Sequence, residues 1–330
     1  MLNHKVSVII PIYGQEKYIE RCARSLFEQS LKSIEYIFVD DCTPDNSINI
    51  LEKVADDYPD RKDHIKIIHH KSNVGVSMSR QDGMTMASGE YVIHCDPDDW
   101  VEKDMYETLY AKASGENLDV VICDFSAESD SVEVISQRPA ECKSESVLGS
   151  ISGRHIKPLH GSLCNKLIKA DCLADVKFPP GVNYCEDVFV LFQVFKGERN
   201  IGYVDKAMYH YRVDVPNSLV KTVDRKALDM DMKLIEKLHE LALDSNSDEY
   251  VRCVNSMILS VIYHRAFMQG NVSGRDFKER YSGMVRLYLP DNLSIRQPYR
   301  MLLQLSGYGF HSLSMSLLKA ARKVKSFLKH

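Results

Sequence analysis

Apolar residues arrive in short runs over the first part of the chain and at helical spacing over the last. Lys5 to Ile12, Ile34 to Val39, Ile65 to Ile68, Tyr91 to Cys95 and Asp119 to Cys123 have the length and β-branched content of buried strands. Between them, Tyr18, Ile19, Cys22, Leu26 and Phe27 recur at helical spacing, and Asn46 to Ala55, Asn73 to Ala87 and Met105 to Ala113 read as further helices. This alternation predicts an α/β fold, a mostly parallel sheet with helices on both faces. Phe125 to His160 is polar and reads as loops with a short helix, and Leu163 to Ile168 returns to the core. Glu186 and Asp187 open an apolar helix through Phe195, and Ile201 to Val204 and Ala207 to Tyr211 predict two strands. From Thr222 onward strand signals vanish. The pattern predicts an α/β domain over 1–220, with halves 1–115 and 116–220, and a helical domain over 221–330, the boundary near Val220.

The run from Tyr91 stops at three carboxylates, Asp96, Asp98 and Asp99, with Pro97 among them. Proline has a fixed φ and no amide hydrogen, so a strand cannot continue through it. Like charges so gathered repel unless something cationic is bound, and in open α/β sheets ligands sit at the carboxyl ends of strands. One reading is a divalent-metal site for a phosphorylated substrate. The other is an acidic turn whose Asp99 caps a helix starting near Val101. The run from Ile34 also ends on carboxylates, Asp40 and Asp41.

Composition narrows the classes. With 330 residues, 44% apolar and 27% charged, the chain is ordinary for a globular protein. A net charge of −4 gives no reason to expect nucleic acid. The nine cysteines are odd in number and contain no Cys-X-X-Cys pair, which fits reduced thiols and a cytoplasmic location. No signal peptide is expected at the N-terminus, and no apolar stretch is long enough to span a bilayer. The first strand is followed by a single glycine, Gly14, so the Gly-X-Gly-X-X-Gly of dinucleotide-binding turns is missing, and there is no P-loop.

Seven stretches then fall in order: Val6-Ser-Val-Ile-Ile-Pro-Ile-Tyr13, Tyr18-Ile-Glu-Arg-Cys22, Ser25-Leu-Phe-Glu-Gln-Ser30, Glu35-Tyr-Ile-Phe-Val-Asp-Asp41, Asn73-Val-Gly-Val-Ser77, Ala87-Ser-Gly-Glu-Tyr91 and Asp96-Pro-Asp-Asp-Trp100. Together they resemble the family 2 glycosyltransferases of the GT-A fold, densely over 1–115. The likeness is thinner at Asn165-Lys-Leu167, Glu186-Asp187 and Tyr209-His-Tyr-Arg212. The resemblance implies inverting transfer of a hexosyl or N-acetylhexosaminyl group from a nucleotide-diphosphate donor, UDP by family habit, to a glycan or lipid-linked hydroxyl in surface polysaccharide synthesis. Competing readings are an inactive nucleotide-sugar-binding module and a nucleotidyltransferase. The latter lacks its glycine-rich basic loop here.

By the same resemblance, Pro11, Tyr13 and Asp41 belong to the nucleotide site, Asp41 receiving the base, while Asp40 supports the turn. Asp98 matches the direct ligand of Mn2+ or Mg2+, and Asp96 faces the ribose or a metal-bound water. Such ions take oxygen ligands at roughly 2.1 Å and keep waters and phosphates, so few protein ligands are needed. Asp187 matches the general base and Glu186 an orienting neighbour, although acids at a helix start also answer the helix dipole. Arg80 stands in Ser79-Arg80-Gln81, which departs from the family's Ala-Arg-Asn, and is a diphosphate contact or a solvated helix residue. Arg212 is a second phosphate contact with Lys166 behind it, and His210 a residue that approaches the metal or simply packs.

The charge is uneven. After Asp291 there is no acid but seven Lys and Arg, so the last 39 residues carry +7 and the remainder −11. Leu313, Leu317, Ala320, Ala321, Val324, Phe327 and Leu328 recur with helical period among Lys319, Arg322, Lys323, Lys325 and Lys329. This is an amphipathic basic helix, suited to peripheral contact with an anionic membrane at the inner face of the cell or to packing on the domain. The stretch lacks the interleaved aromatics of a nucleic-acid binder. The helical region also offers surface for a homodimer.

Overall fold

The computed structural model describes residues 4–213, 225–269 and 272–327, with side chains as far as 320. The chain divides into two compact units, Met1–Ser146 with Leu159–Pro216, and Val147–Pro158 with Asn217–His330. The expected boundary near Val220 lies outside the described residues. That 147–158 belongs to the helical unit has no counterpart in the sequence pattern.

The first unit opens with β1 (Val6–Ile12), α1 (Ile19–Phe27), β2 (Ile34–Asp40), α2 (Ser47–Asp56), β3 (Ile65–His69), α3 (Val76–Met86) and β4 (Tyr91–His94). β1 is buried along its whole length, which is why it reads as a continuous apolar run and not as an alternation. The α1 face formed by Ile19, Cys22, Ala23, Leu26 and Phe27 covers it, as the spacing predicts. β1 pairs parallel with β2 and β4, and β2 with β3. Because these strands run together in register, Val6 beside Ile34 and Tyr91, their carboxyl ends share one edge. Tyr13, Asp41 and Asp96 therefore emerge side by side.

Beyond β4 the sheet is mixed. The two-residue β5 (Trp100–Val101) precedes α4 (Met105–Gly115), β6 (Val120–Glu128), β7 (Val132–Ile135), α5 (Ser144–Ser152), β8 (Lys166–Lys169), α6 (Glu186–Val194) and β9 (Ile201–Arg212). The strand order is β3-β2-β1-β4-β8-β6-β9-β5, with β7 paired to β6. β8 runs antiparallel to β4 and β6, whereas β6 and β9 are parallel.

Two expectations fail here for physical reasons. Ile201 to Tyr211 forms one strand, because the polar break at Asp205-Lys206 falls where β9 shifts register against β6. The hairpin of β7 was not foreseen, since Val132, Glu133 and Val134 are all exposed and give no in-out alternation. The helical unit holds α7 (Arg225–Leu243), α8 (Asp248–Tyr263), α9 (Gly274–Arg280), α10 (Ser282–Tyr288), α11 (Tyr299–Gly307) and α12 (His311–Phe327), with a π-helical turn at His264–Gln269. No helix among the described residues is long and apolar enough to cross a membrane.

Candidate active site

At the end of β2 the two aspartates divide their work. Asp40 accepts from the Thr43 amide at 2.8 Å and meets His69 Nδ1 at 2.9 Å, the turn support expected of it. Asp41 is buried and accepts from the Val74 and Gly75 amides, both at 2.8 Å, with His70 Nδ1 at 2.9 Å. A carboxylate has about four acceptor positions, so one remains for a ligand N–H. These bonds anchor the loop from which α3 springs. Gly75 itself has φ +91°, and a Cβ there would meet the Asn183 side chain at 2.4 Å, so glycine is required. Pro11 is buried in β1, and Tyr13 projects from its end half exposed.

α3 turns a face of Ser77, Ser79, Arg80 and Gly83 inward. Gly83 lets the helix close on β1, since a Cβ would come within 2.5 Å of Ile9. This close approach drives Arg80 into the protein. Its guanidinium is not solvated, being only 3% exposed. Nη2 donates to Asp96 Oδ1 at 2.7 Å, and Nε lies 3.5 Å from both Glu186 Oε1 and Asp187 Oδ1. Glu186 and Asp187 occupy the first turn of α6, where the helix dipole favours negative charge. Arg80 thus joins the Asp-X-Asp turn to the Glu186–Asp187 pair, residues far apart in sequence.

The charges are poorly matched. Burial, then Asp187, pushes the Glu186 carboxyl up to about 7. Burial also raises Asp187 against the opposing pull of Arg80. Asp187 Oδ2 accepts from the Leu163 amide at 3.1 Å, while Asp187 Oδ1 and Arg80 Nε and Nη1 are buried without a hydrogen-bond partner in the protein. Unmet buried donors and acceptors cost about 1–3 kcal/mol each. Their clustering at one point marks a place for polar ligand atoms.

The Asp96–Trp100 turn is braced from β9. The Tyr209 hydroxyl donates to Asp99 Oδ2 at 2.5 Å and accepts from the Asp96 amide at 3.1 Å. The Arg212 amide donates to Asp99 Oδ1 at 2.8 Å, and the Asp99 amide closes the turn on Asp96 O at 3.1 Å. Asp99 is therefore a buried strut and not a helix cap. Trp100–Val101 pairs with β9, and α4 starts only at Met105. Asp98 is half-buried, and its carboxyl is pushed up to about 6 by burial and then by Asp96. The Cys164 thiol donates to Asp96 Oδ2 at 3.4 Å.

Arg212 follows from β9, its Nε 3.4 Å from Asp98 O and its guanidinium over the rings of Tyr18 and Trp100. Arg21 lies 3.2 Å over Trp100, and His210 stacks on the same ring at 5.0 Å. His210 does not turn to the acidic cluster: Nδ1 meets Glu128 at 2.8 Å and Nε2 meets Glu102 at 2.9 Å, leaving neither nitrogen for a metal. Lys166 is also no phosphate contact. Its buried ammonium donates to His160 O, Ser162 O and Asn165 Oδ1, each at 2.8 Å, and burial lowers it to about 8. The sequence reasoning missed Tyr209, Cys164 and Arg21. Tyr209 and Arg21 lie in stretches that carry the family resemblance, but neither was given a role; Cys164 was not marked at all.

No group of three His, Cys, Asp or Glu among the described residues forms a self-sufficient metal site. An oxygen-bound ion that completes its shell with phosphates needs fewer. Asp98, an oxygen donor raised by burial and then by the negative charge of Asp96 beside it, fits that requirement.

Residues 7–164 match the model of glycosyl transferase family 2. The putative glycosyltransferase EpsH of Bacillus subtilis (strain 168) is 28% identical over 268 residues, 77% of this chain and 74% of EpsH. The minor teichoic acid biosynthesis protein GgaB of the same bacterium is 31% identical over 216 residues, 64% of this chain and 23% of GgaB. The crystal structure of S. aureus TarS 1–349 in complex with UDP covers 97% of this chain and 91% of its own, with a TM-score of 0.69 at 20% identity, and so shares the fold. Sequence match and architecture agree: the chain is a glycosyltransferase that carries a glycosyl transferase family 2 domain over residues 7–164, built on the GT-A fold.

Proposed function

We propose that the enzyme moves a hexosyl or N-acetylhexosaminyl group from a UDP-sugar to a hydroxyl of a glycan or lipid-linked acceptor, with inversion. It does so in surface polysaccharide synthesis, in the cytoplasm at the inner face of the cell membrane. The observation that carries this reading is the Arg80 guanidinium, which brings Asp96 within 2.7 Å and Asp187 within 3.5 Å and leaves Asp187 Oδ1 without a donor. The match to GgaB supports a surface-polymer acceptor, and the UDP bound to TarS supports the donor nucleotide.

In this reading, Asp41, Pro11 and Tyr13 receive the nucleoside, and Asp98 with Asp96 holds Mn2+ or Mg2+. The ion, when bound, neutralises charge on the departing diphosphate. Arg212, at the mouth of the turn, faces the same phosphates. Asp187 Oδ1 takes the acceptor hydroxyl's proton as that oxygen bonds to the anomeric carbon. The bond from that carbon to the phosphate oxygen breaks, and its electron pair leaves with UDP. A carboxylate raised by burial is better matched to this proton transfer than a solvated one.

The test is calorimetric titration of UDP with and without Mn2+, followed by a screen of UDP-sugars for nucleotide release. Mn2+ should tighten UDP binding, and one donor should be consumed by the wild type but not by Asp187→Asn, which should still bind UDP. UDP binding indifferent to Mn2+, or full turnover by Asp187→Asn, overturns the assignment.

A further inference from the structure

α12 buries one face and leaves two leucines exposed on another. His311, Ser314 and Leu318 point inward, with relative exposures of 2%, 0% and 3%. Ser314 Oγ donates to Leu302 O at 2.9 Å, and His311 stacks on Phe277 with ring centroids 4.2 Å apart while Nδ1 meets Ser306 at 3.1 Å. Leu313 and Leu317, one turn apart, are 51% and 45% exposed. At about 100° per residue they lie about 160° and 120° around the helix from His311, off the buried face. Phe310, one turn before Leu313, is 55% exposed, and Tyr308 is 63% exposed. Packing on its own unit therefore does not account for the apolar stripe, which in the sequence continues through Ala320, Val324 and Phe327.

The charge on this segment says what covers the stripe. No acid follows Asp291, and seven Arg and Lys do. A second copy docked through the same face would bring two basic segments together, which like-charge repulsion opposes. A bilayer with anionic headgroups answers both features: it takes leucine and aromatic side chains at the acyl boundary and attracts lysine and arginine around them. We infer that α12 is an interfacial helix, lying on an anionic lipid surface through Tyr308, Phe310, Leu313 and Leu317.

This goes beyond the reaction proposed above and does not rest on it. The experiment is co-sedimentation of the full chain with phosphatidylcholine vesicles, with and without phosphatidylglycerol, at low and raised salt. The comparison is the double variant Leu313→Glu, Leu317→Glu. Thermal scanning and UDP-sugar hydrolysis in solution verify that the variant is folded and active, since both leucines are solvent-facing. The wild type should bind the anionic vesicles at least about tenfold better than the neutral ones and release in salt, and the variant should lose about tenfold or more. Equal sedimentation of variant and wild type overturns the proposal, as does a wild type that stays in the supernatant with both vesicles. So does a wild type that self-associates in sedimentation velocity where the variant does not, because the stripe would then be a dimer interface.

Discussion

Asp98 stores repulsion in the folded state, and removing its charge should stabilise the ion-free enzyme while abolishing function. The carboxyl is displaced from 3.8 to about 6, by burial and then by Asp96. At about 1.4 kcal/mol per unit, this is at most about 3 kcal/mol. Because the folded value lies above the unfolded one, the native state holds the extra proton between about 4 and 6. Stability from this group is therefore lost as pH rises through that window, and the penalty is complete above it. Asp98→Asn should gain about 1–3 kcal/mol at pH 7.5 in chelator, a rise of roughly 2–4 °C in Tm per kcal/mol for a unit of this size, and nothing near pH 4. Added Mn2+ with UDP should raise the wild-type transition and leave that of the variant unmoved, and donor turnover should fall about a hundredfold or more. Thermal scans at the two pH values, with and without ion, decide it. A variant less stable than wild type at pH 7.5 would refute the reasoning, since the carboxylate would then be held by favourable contacts and not against unfavourable ones.

Three further outcomes follow from single contacts. Asp187→Asn should lower kcat by about 10²–10⁴ with UDP affinity kept, read by single-turnover kinetics and calorimetry; a matching loss of UDP affinity would make Asp187 a binding residue. Tyr209→Phe removes the donor to Asp99 and the acceptor for the Asp96 amide. It should cost about 1–3 kcal/mol in denaturant unfolding and weaken the response to Mn2+, because the turn that carries Asp98 loses its brace. Gly75→Ala meets both a φ of +91° and Asn183 at 2.4 Å. It should destabilise by about 1–3 kcal/mol and weaken UDP binding through Asp41, whereas an unchanged Tm would show that the loop adjusts freely.

The sequence disclosed what one-dimensional periodicity can carry. β1, β2 and β4 are buried on both faces and announce themselves as apolar runs, and α1 presents its covered stripe at the predicted positions. The acidic strand ends were legible because paired or tripled aspartates close runs that are otherwise mostly apolar. Contacts between distant segments were not. Lys166 reads as a cation behind Arg212 at the phosphates because the oxygens that satisfy it belong to His160, Ser162 and Asn165, none of them acidic. For His210 both metal approach and packing stayed open because Glu128 arrives from β6 and Glu102 from the segment after β5. β7 has no buried face and hence no pattern. In α12 the period was plain, but which side packs depended on His311 and Ser314, polar residues that find partners in α11 and the loop before α9.

These readings share a direction. Lys166, His210 and Asp99, for each of which the sequence left a ligand role open, are held by partners inside the protein. Asp187 Oδ1 and the Nε and Nη1 of Arg80, buried without a partner, lie at the carboxyl edge of the sheet, where the Asp98 carboxyl is also raised; Gln15, His70, His94 and Tyr106 carry further unmet atoms. At that edge Asp96, Asp98, Asp99, Glu186 and Asp187 face Arg80 and Arg212, so negative charge exceeds positive before any ligand arrives. A bound divalent cation would offset most of that excess and lower the repulsion that a diphosphate meets at the same edge.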